Sequence, residues 1–128
     1  MIELITIPDD FSIYQFSIDD HIPNQILESG FCSITKTSEE ISVIANCTYS
    51  SGEIFVNSGW KGFKVEGQLD FSMIGIIHNI TKPLKEAGIS VFVISTYNTD
   101  YIFVKEESFA KAIEFFKATE GLRIRTVS

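Results

Sequence analysis

Residues 73–95 read Met73-Ile74-Gly75-Ile76-Ile77-His78-Asn79-Ile80-Thr81-Lys82-Pro83-Leu84-Lys85-Glu86-Ala87-Gly88 and then Ile89-Ser90-Val91-Phe92-Val93-Ile94-Ser95. In the first part Met73, Ile77, Ile80, Leu84 and Ala87 recur at steps of four, three, four and three, which lines them along one stripe of a helix that stops at Gly88. Pro83 lies inside this pattern and has no N–H to give the carbonyl of Asn79, so an irregularity is predicted there. The second part contains the unbroken apolar run Val91 to Ile94, suited to a central strand buried on both faces.

Working outward, Trp60 to Glu66 reads as a strand before the helix, with Gly67 to Ser72 turning the chain. After the apolar run come a turn at Thr96 to Thr99 and a strand at Tyr101 to Val104. Glu106-Glu107-Ser108 then opens a second helix with the core stripe Phe109, Ala112, Ile113 and Phe116. Leu122 to Arg125 alternates as a closing edge strand with its arginines toward water. The order strand, helix, strand, strand, helix, strand is ferredoxin-like, and right-handed crossovers put both helices on one face of an antiparallel four-stranded sheet. A unit of about 68 residues is marginal alone, so it is expected to pack on the first half.

That first half reads as a shorter, degraded version of the same order. Strands are expected at Glu3 to Ile7, Phe11 to Phe16, Phe31 to Thr35 and Ile41 to Asn46, with Pro8-Asp9-Asp10 as a tight turn between the first two. A short helix follows Pro23, over Asn24 to Glu28. Cys47 to Ser58 is expected to loop around a weak strand, Glu53 to Val56. The fold class is therefore α+β, with two tandem ferredoxin-like βαββαβ modules, 1–58 (degenerate) and 59–128, each an antiparallel sheet with its helices on one face.

Composition narrows the function. With 128 residues, 45% of them hydrophobic, the chain is one compact domain or two intimately packed half-size units. Its net charge of −7 repels phosphate backbones and anionic membrane surfaces, so neither nucleic acid nor a membrane is an expected partner. No apolar run approaches the ~20 residues that span a bilayer, and Met1-Ile2-Glu3-Leu4 lacks the basic flank of a signal peptide, so a cytoplasmic location is expected. Cys32 and Cys47 sit in no metal-ligand spacing and read as buried thiols; no metal and no cofactor is expected. No nucleophile elbow and no phosphate-binding glycine loop occurs. An acylphosphatase-like hydrolase needs a loop arginine, but Arg123 and Arg125 both lie in the terminal strand, so the chain is read as not an enzyme.

Two short polar loops stand out, Asp70-Phe71-Ser72-Met73-Ile74-Gly75 and Ser95-Thr96-Tyr97-Asn98-Thr99-Asp100. The first leads into a helix whose opening amides are unpaired and carry partial positive charge, so a carboxylate can dock on them, and Gly75 permits close approach. Asp70 and Asp100 can meet an ammonium group, while Ser95, Thr96 and Thr99 supply neutral hydrogen bonds. Together these parts match a free amino acid. Each has a plainer reading: Ser72 or Asp70 as helix N-cap, and Asn98-Thr99-Asp100 as an Asx or Ser/Thr turn. His78 shares with Gly75, Asn79 and Lys82 a helix face opposite the core stripe, which reads as a solvated surface or a subunit contact more often than as a pocket wall.

The motifs Gly59-Trp60-Lys61-Gly62-Phe63-Lys64-Val65-Glu66-Gly67, Leu69-Asp70-Phe71-Ser72-Met73-Ile74-Gly75-Ile76, Pro83-Leu84-Lys85-Glu86-Ala87-Gly88-Ile89-Ser90 and Ser95-Thr96-Tyr97-Asn98-Thr99-Asp100-Tyr101 occur in order at compatible spacing. Over residues 59 to 118 they resemble small bacterial ACT-domain proteins related to the CASTOR arginine sensors. Leu4 to Phe16 and Gly30 to Thr37 are similar, less distinctively, to the N-terminal module of that family. The resemblance implies a tandem pair of ACT-like modules that binds an amino acid or similar small effector in regulation. It implies that Gly75 holds the carboxylate end and that Thr96, Tyr97 and Asp100 meet the ligand. His78 stands where an acidic side chain would help hold a guanidinium. The sensors pair four modules in one chain, so a homodimer would supply the partner surfaces that two modules lack. The expected function is a non-catalytic amino-acid-binding regulatory module with a site over Asp70, Ser72, Met73, Ile74, Gly75, His78 and Ser95 to Asp100. The alternative is an oligomerisation or protein-interaction module with a vestigial pocket.

Overall fold

The computed structural model describes residues 2–51, 54–66 and 75–127. Along the chain run β1 (Ile2–Phe16), α1 (Asn24–Leu27), β2 (Cys32–Lys36), β3 (Ile41–Ala45), β4 (Phe55–Val65), α2 (Ile76–Glu86), β5 (Val91–Ser95), β6 (Asp100–Lys105), a 3₁₀ turn (Glu106–Ser108), α3 (Phe109–Lys117) and β7 (Leu122–Arg125). The chain divides into two compact units, residues 9–60 and residues 1–8 with 61–128. The first residues of β1 pair in parallel with β7, Ile2 opposite Leu122 through Ile5 opposite Arg125, so they cluster with the later unit.

In the later unit the strands lie in the order β7-β1-β4-β6-β5. The elements β4, α2, β5, β6, α3 and β7 follow the ferredoxin-like sequence, with the opening part of β1 inserted between β7 and β4. A purely antiparallel four-stranded sheet is thus corrected to a sheet with a fifth strand and one parallel pair. The helices pack on one face: Ile76, Ile80, Leu84, Ala112 and Phe116 share a core with Leu4, Phe63, Val65, Ile102, Val104 and Leu122. Ile102 and Val104 are two residues apart and project together from the pleat, as the period of a strand requires. Phe63 anchors the centre of this core, stacking edge-on against Phe116 at 5.1 Å.

The unit of residues 9–60 builds a separate core from Tyr14, Phe16, Ile26, Ile41, Val43 and Ala45. Here β3 pairs antiparallel with the second part of β1, Ser12 opposite Ala45 through Phe16 opposite Ile41, and with β2 on its other side. The helix α1 is a single turn whose one fully buried residue is Ile26.

Several local expectations are overturned. Pro8-Asp9-Asp10 does not turn the chain; it runs exposed inside the continuous strand β1. Turn chemistry loses because residues on both sides are already committed to ladders, with β7 on one flank and β3 on the other. The carbonyl of Pro8 accepts from Lys61 Nζ at 3.3 Å, and Asp9 accepts from the Asn46 amide at 3.0 Å. The strands expected at 53–56 and 60–66 are one strand, β4, starting at Phe55. β5 is not central but closes the sheet, and Val91 to Ile94 are only half-buried. α2 starts at Ile76, and Ile76 rather than Ile77 is buried, which rotates the first turn of the stripe by one position. Pro83 sits on the buried face, where a missing N–H costs the helix one bond and leaves the apolar stripe intact. The helix closes as its sequence predicted, with Gly88 at φ +73 and with the N–H groups of Gly88 and Ile89 bonded to the carbonyls of Lys85 and Leu84.

Candidate functional site

Gly75 precedes α2 in the left-handed conformation, φ 78 and ψ 8, where a residue with a Cβ is strained. No atom of the described residues lies within 4 Å of the position a Cβ would take, and the glycine is demanded by its backbone. The first intrahelical bond runs from the Asn79 N–H to the Gly75 carbonyl at 2.9 Å. The amides of Ile76, Ile77 and His78 precede that bond and are the unpaired donors of the helix opening. Among the described residues no side chain caps this end. Gly75 is therefore the N-cap, the role that sequence gave in its plainer reading to Ser72 or Asp70. Asp70, Ser72, Met73 and Ile74 lie outside the described residues.

The second loop is a tight hairpin between β5 and β6. The Thr96 N–H donates to the Thr99 carbonyl at 2.8 Å, and the Thr96 hydroxyl accepts from the Thr99 N–H at 3.2 Å. This is the Ser/Thr turn that the composition allowed. Ser95 and Asp100 face each other across the ladder, and the Ser95 hydroxyl donates to the Asp100 carboxylate at 2.5 Å. Tyr97 projects at the tip, 77% exposed. Thr99 is 3% exposed, and its hydroxyl donates to the Val65 carbonyl at the end of β4 at 2.7 Å.

This last bond ties the hairpin to the end of β4 at Val65, and α2 begins further along the chain at Ile76. Sequence singled out Thr99 as a hydrogen-bonding group for a ligand; its hydroxyl is spent on the backbone of β4. Ser95 is exposed and Asp100 half-buried.

His78 goes elsewhere. It is exposed and lines a cleft of about 740 Å³ with Lys82, Lys85, Ile89 and Val91, between the outer side of α2 and the start of β5. No hairpin residue lines that cleft. Sequence reading marked the His78 and Lys82 face and did not extend it to Lys85, although the three recur at steps of four and three.

Both cysteines are free and half-buried beside the core of residues 9–60. Burial pushes the Cys32 thiol up from its ordinary value, and the neighbouring Cys47 adds to this, so Cys32 is held as the unreactive thiol at neutral pH. The buried Tyr14 phenol is likewise pushed up by burial, against the opposing hydrogen bond it accepts from the Tyr49 N–H at 3.1 Å. It donates in turn to the Cys47 carbonyl at 3.0 Å, tying the segment after β3 to β1. Among the described residues no group of three His, Cys, Asp or Glu is placed to hold a metal. No helix among them is long and apolar enough to cross a membrane. Arg123 and Arg125 are committed to Glu3 across the β1–β7 pair, at 2.7 and 3.9 Å.

Residues 9–49 match a family model described as an N-terminal domain, and residues 55–117 match the one described as ACT domain. The chain is 29% identical over 117 residues to the human "Cytosolic arginine sensor for mTORC1 subunit 1", covering 90% of this chain and 32% of that protein. The bovine protein of the same name is 40% identical over 68 residues, 52% of this chain and 19% of the relative. The chain thus spans about a third of the length of the human relative. A crystal structure of a protein from Agobacterium tumefaciens superposes with a TM-score of 0.89 at 28% identity, covering 99% of this chain and 94% of that one. Aspartate kinase from Clostridium acetobutylicum shares the fold, with a TM-score of 0.63 at 11% identity over 88% of this chain and 33% of the kinase. Over residues 55–117 the chain is an ACT domain, and it is an ACT-domain protein.

Proposed function

We propose that this ACT domain binds a free α-amino acid, or an effector of the same chemistry, at the end of the sheet where α2 begins and the β5–β6 hairpin turns, and that binding serves regulation and not catalysis. The observation that carries the reading is the Thr99 hydroxyl bond to the Val65 carbonyl, which ties the hairpin to the end of β4 that feeds α2. The opening amides of α2, admitted by Gly75, receive the carboxylate; Asp100 takes the ammonium; Thr96 and Tyr97 flank the side chain, with Asn98 and Thr99 shaping the turn. The proposed ligand contacts also include Asp70, Ser72, Met73 and Ile74. A carboxylate at a helix opening and an ammonium at an acid some residues away select a zwitterion over a simple anion or cation. The names of the human and bovine relatives, arginine sensors, support an amino acid as the effector class.

The unit of residues 9–60 is read as the shortened first module of a tandem pair, with the division near 58/59. Its order of strand, helix, strand, strand and its own family model support this. The protein works in the cytoplasm, as a homodimer whose second copy supplies surfaces that the longer relatives hold in one chain. The effector acts by preferring one packing of modules or subunits over another, the condition for any sensor.

Thermal-shift screening against the twenty amino acids tests this reading. A ligand at a hundred times its Kd adds ~2.7 kcal/mol of stability. Asp100→Ala is expected to abolish the response, while Ser95→Ala, which removes a hydroxyl and keeps the charge, preserves most of it. A protein-interaction module with a vestigial pocket predicts no response to any amino acid.

A further inference from the structure

The proposed amino-acid site does not use Cys32 and Cys47, the two cysteines of the chain. Both are half-buried and both pack against the core that holds Tyr14 and Val43, so their side chains leave the β2–β3 hairpin on the same face. The register explains this. Cys32 stands opposite Ala45, the Asn46 N–H donates to the Phe31 carbonyl at 3.3 Å, and the same count sets Gly30 opposite Cys47. Cys32 and Cys47 are therefore diagonal neighbours, a spacing of about 7–8 Å between Cα atoms in a regular ladder. Ala45 and Gly30 fill the other two corners, and residues so small put little between the two sulfurs. A disulfide takes Cα atoms about 4.4–6.8 Å apart, so closing one here asks a shift of about 1 Å. The local structure permits it: β3 ends at Ala45, the chain bends at Asn46 and Cys47, and β2 has β3 as its one strand neighbour among the described residues.

We infer that Cys32 and Cys47 are a reversible dithiol–disulfide pair, closed by a hydroperoxide and reopened by a thiol reductant, which switches the β2–β3 hairpin between an open and a ring-closed form. With hydrogen peroxide the Cys47 thiol gives its proton to solvent and its sulfur attacks one peroxide oxygen; the O–O bond breaks, and the departing hydroxide takes up a proton as water. Cys47 is then a sulfenic acid. The Cys32 sulfur, losing its proton, attacks the Cys47 sulfur; the S–S bond forms, the S–O bond breaks, and a second water leaves. Two electrons pass from the thiols to the peroxide. Burial keeps Cys32 as the thiol, which suits it to the second step and leaves the first to Cys47. Disulfides of reducing compartments are characteristically transient and redox-sensing, the use this pair fits. The bond has a ready path outward. The Tyr14 hydroxyl of β1 donates to the Cys47 carbonyl at 3.0 Å and accepts from the Tyr49 N–H at 3.1 Å, and the Gln25 amide of α1 donates to the Thr48 carbonyl at 2.6 Å. Drawing Cys47 toward β2 pulls on these bonds, so closure is felt over residues 47–49. The pair is independent of the amino-acid reading, which uses neither cysteine.

The test exposes the folded full chain to a small excess of hydrogen peroxide, quenches with an alkylating reagent and measures intact and peptide masses. The expected product is a chain lighter by two hydrogen atoms, with no thiol left to alkylate and the Cys32 and Cys47 peptides joined, and dithiothreitol is expected to restore the starting mass. Cys32→Ser is expected to stop with oxygen on Cys47 and no link. In ¹⁵N–¹H correlation spectra the oxidised chain is expected to shift the amides of Cys47, Thr48 and Tyr49 from their reduced positions. Two thiols that remain free to alkylate overturn the proposal, as does oxygen added to either sulfur of the parent chain without a link. A link that forms only in urea, or only between two chains, overturns it too, since the native hairpin would then hold the sulfurs apart. Linked protein whose 47–49 amides stay in place would be a disulfide without a switch, and a Cys32→Ser protein whose Cys47 stays a thiol would put the first attack on the wrong sulfur; each overturns the inference.

Discussion

Replacing Gly75 by Ala gives opposite signs for the two ways of starting α2. The apolar pattern from Met73 onward places residue 75 inside the helix, where glycine is the poorer residue and alanine stabilises by ~1 kcal/mol. The structure instead holds Gly75 at φ 78, outside the helix and left-handed. An L side chain there costs roughly 1–2 kcal/mol of backbone strain. No atom of the described residues within 4 Å of a Cβ adds a packing gain or a clash, so the magnitude is worked from the strain. The expected outcome for Gly75→Ala is a loss of about 1–2 kcal/mol, and Gly75→Asn, a residue that tolerates this conformation, is expected to recover part of it. Urea unfolding followed by far-ultraviolet circular dichroism measures the difference as a lowered midpoint at constant slope. A midpoint that rises for Gly75→Ala would refute the left-handed cap and with it the position of the free amides on which the ligand reading depends.

Thr99→Val keeps the shape of the side chain and strips the Val65 carbonyl of its donor, so a loss of about 1–3 kcal/mol is expected by the same unfolding assay, together with a weakened amino-acid response. Leu84→Ala empties a fully buried position in the core of the later unit and is expected to cost about 2–5 kcal/mol. Arg123→Ala removes one exposed partner of Glu3 and is expected to change stability by less than about 1 kcal/mol. Cys32 carries a thiol whose folded pKa is raised by burial, so its contribution is complete below the unfolded value near 9.0 and is lost as pH climbs from there through the folded value. Cys32→Ala is expected to flatten that alkaline part of the stability curve, measured as midpoint against pH.

How far sequence reached depended on what each element answers to. α2 and α3 were legible because Ile80, Leu84, Ala112 and Phe116 repeat with the helical period, and a period survives whatever it packs against. The Thr96–Thr99 turn was legible because its hydroxyl and amide pair locally. The place of β5 was not: an apolar run such as Val91 to Ile94 suits a buried central strand and an edge equally, and only the order of strands in space decides. Pro8-Asp9-Asp10 misled for the converse reason, since its fate was set by partners near Leu122 and Ala45, far along the chain. The role of Thr99 was hidden in the same way, as its acceptor at Val65 lies 34 residues earlier. The helix wall of the α2 cleft was present in the spacing of His78, Lys82 and Lys85, yet a helix face becomes a cleft wall only once the neighbouring strand is placed.

The central claim is that the opening of α2 and the β5–β6 hairpin bind an amino acid together. A ¹⁵N–¹H correlation spectrum of the full chain, recorded while each of the twenty amino acids is added to millimolar concentration, tests it most directly. The account predicts that at least one of them gives saturable shifts in the amides of both 75–79 and 96–100, and that Asp100→Ala removes them. Spectra that stay unchanged for all twenty, or shifts confined to residues away from those two segments, would contradict it.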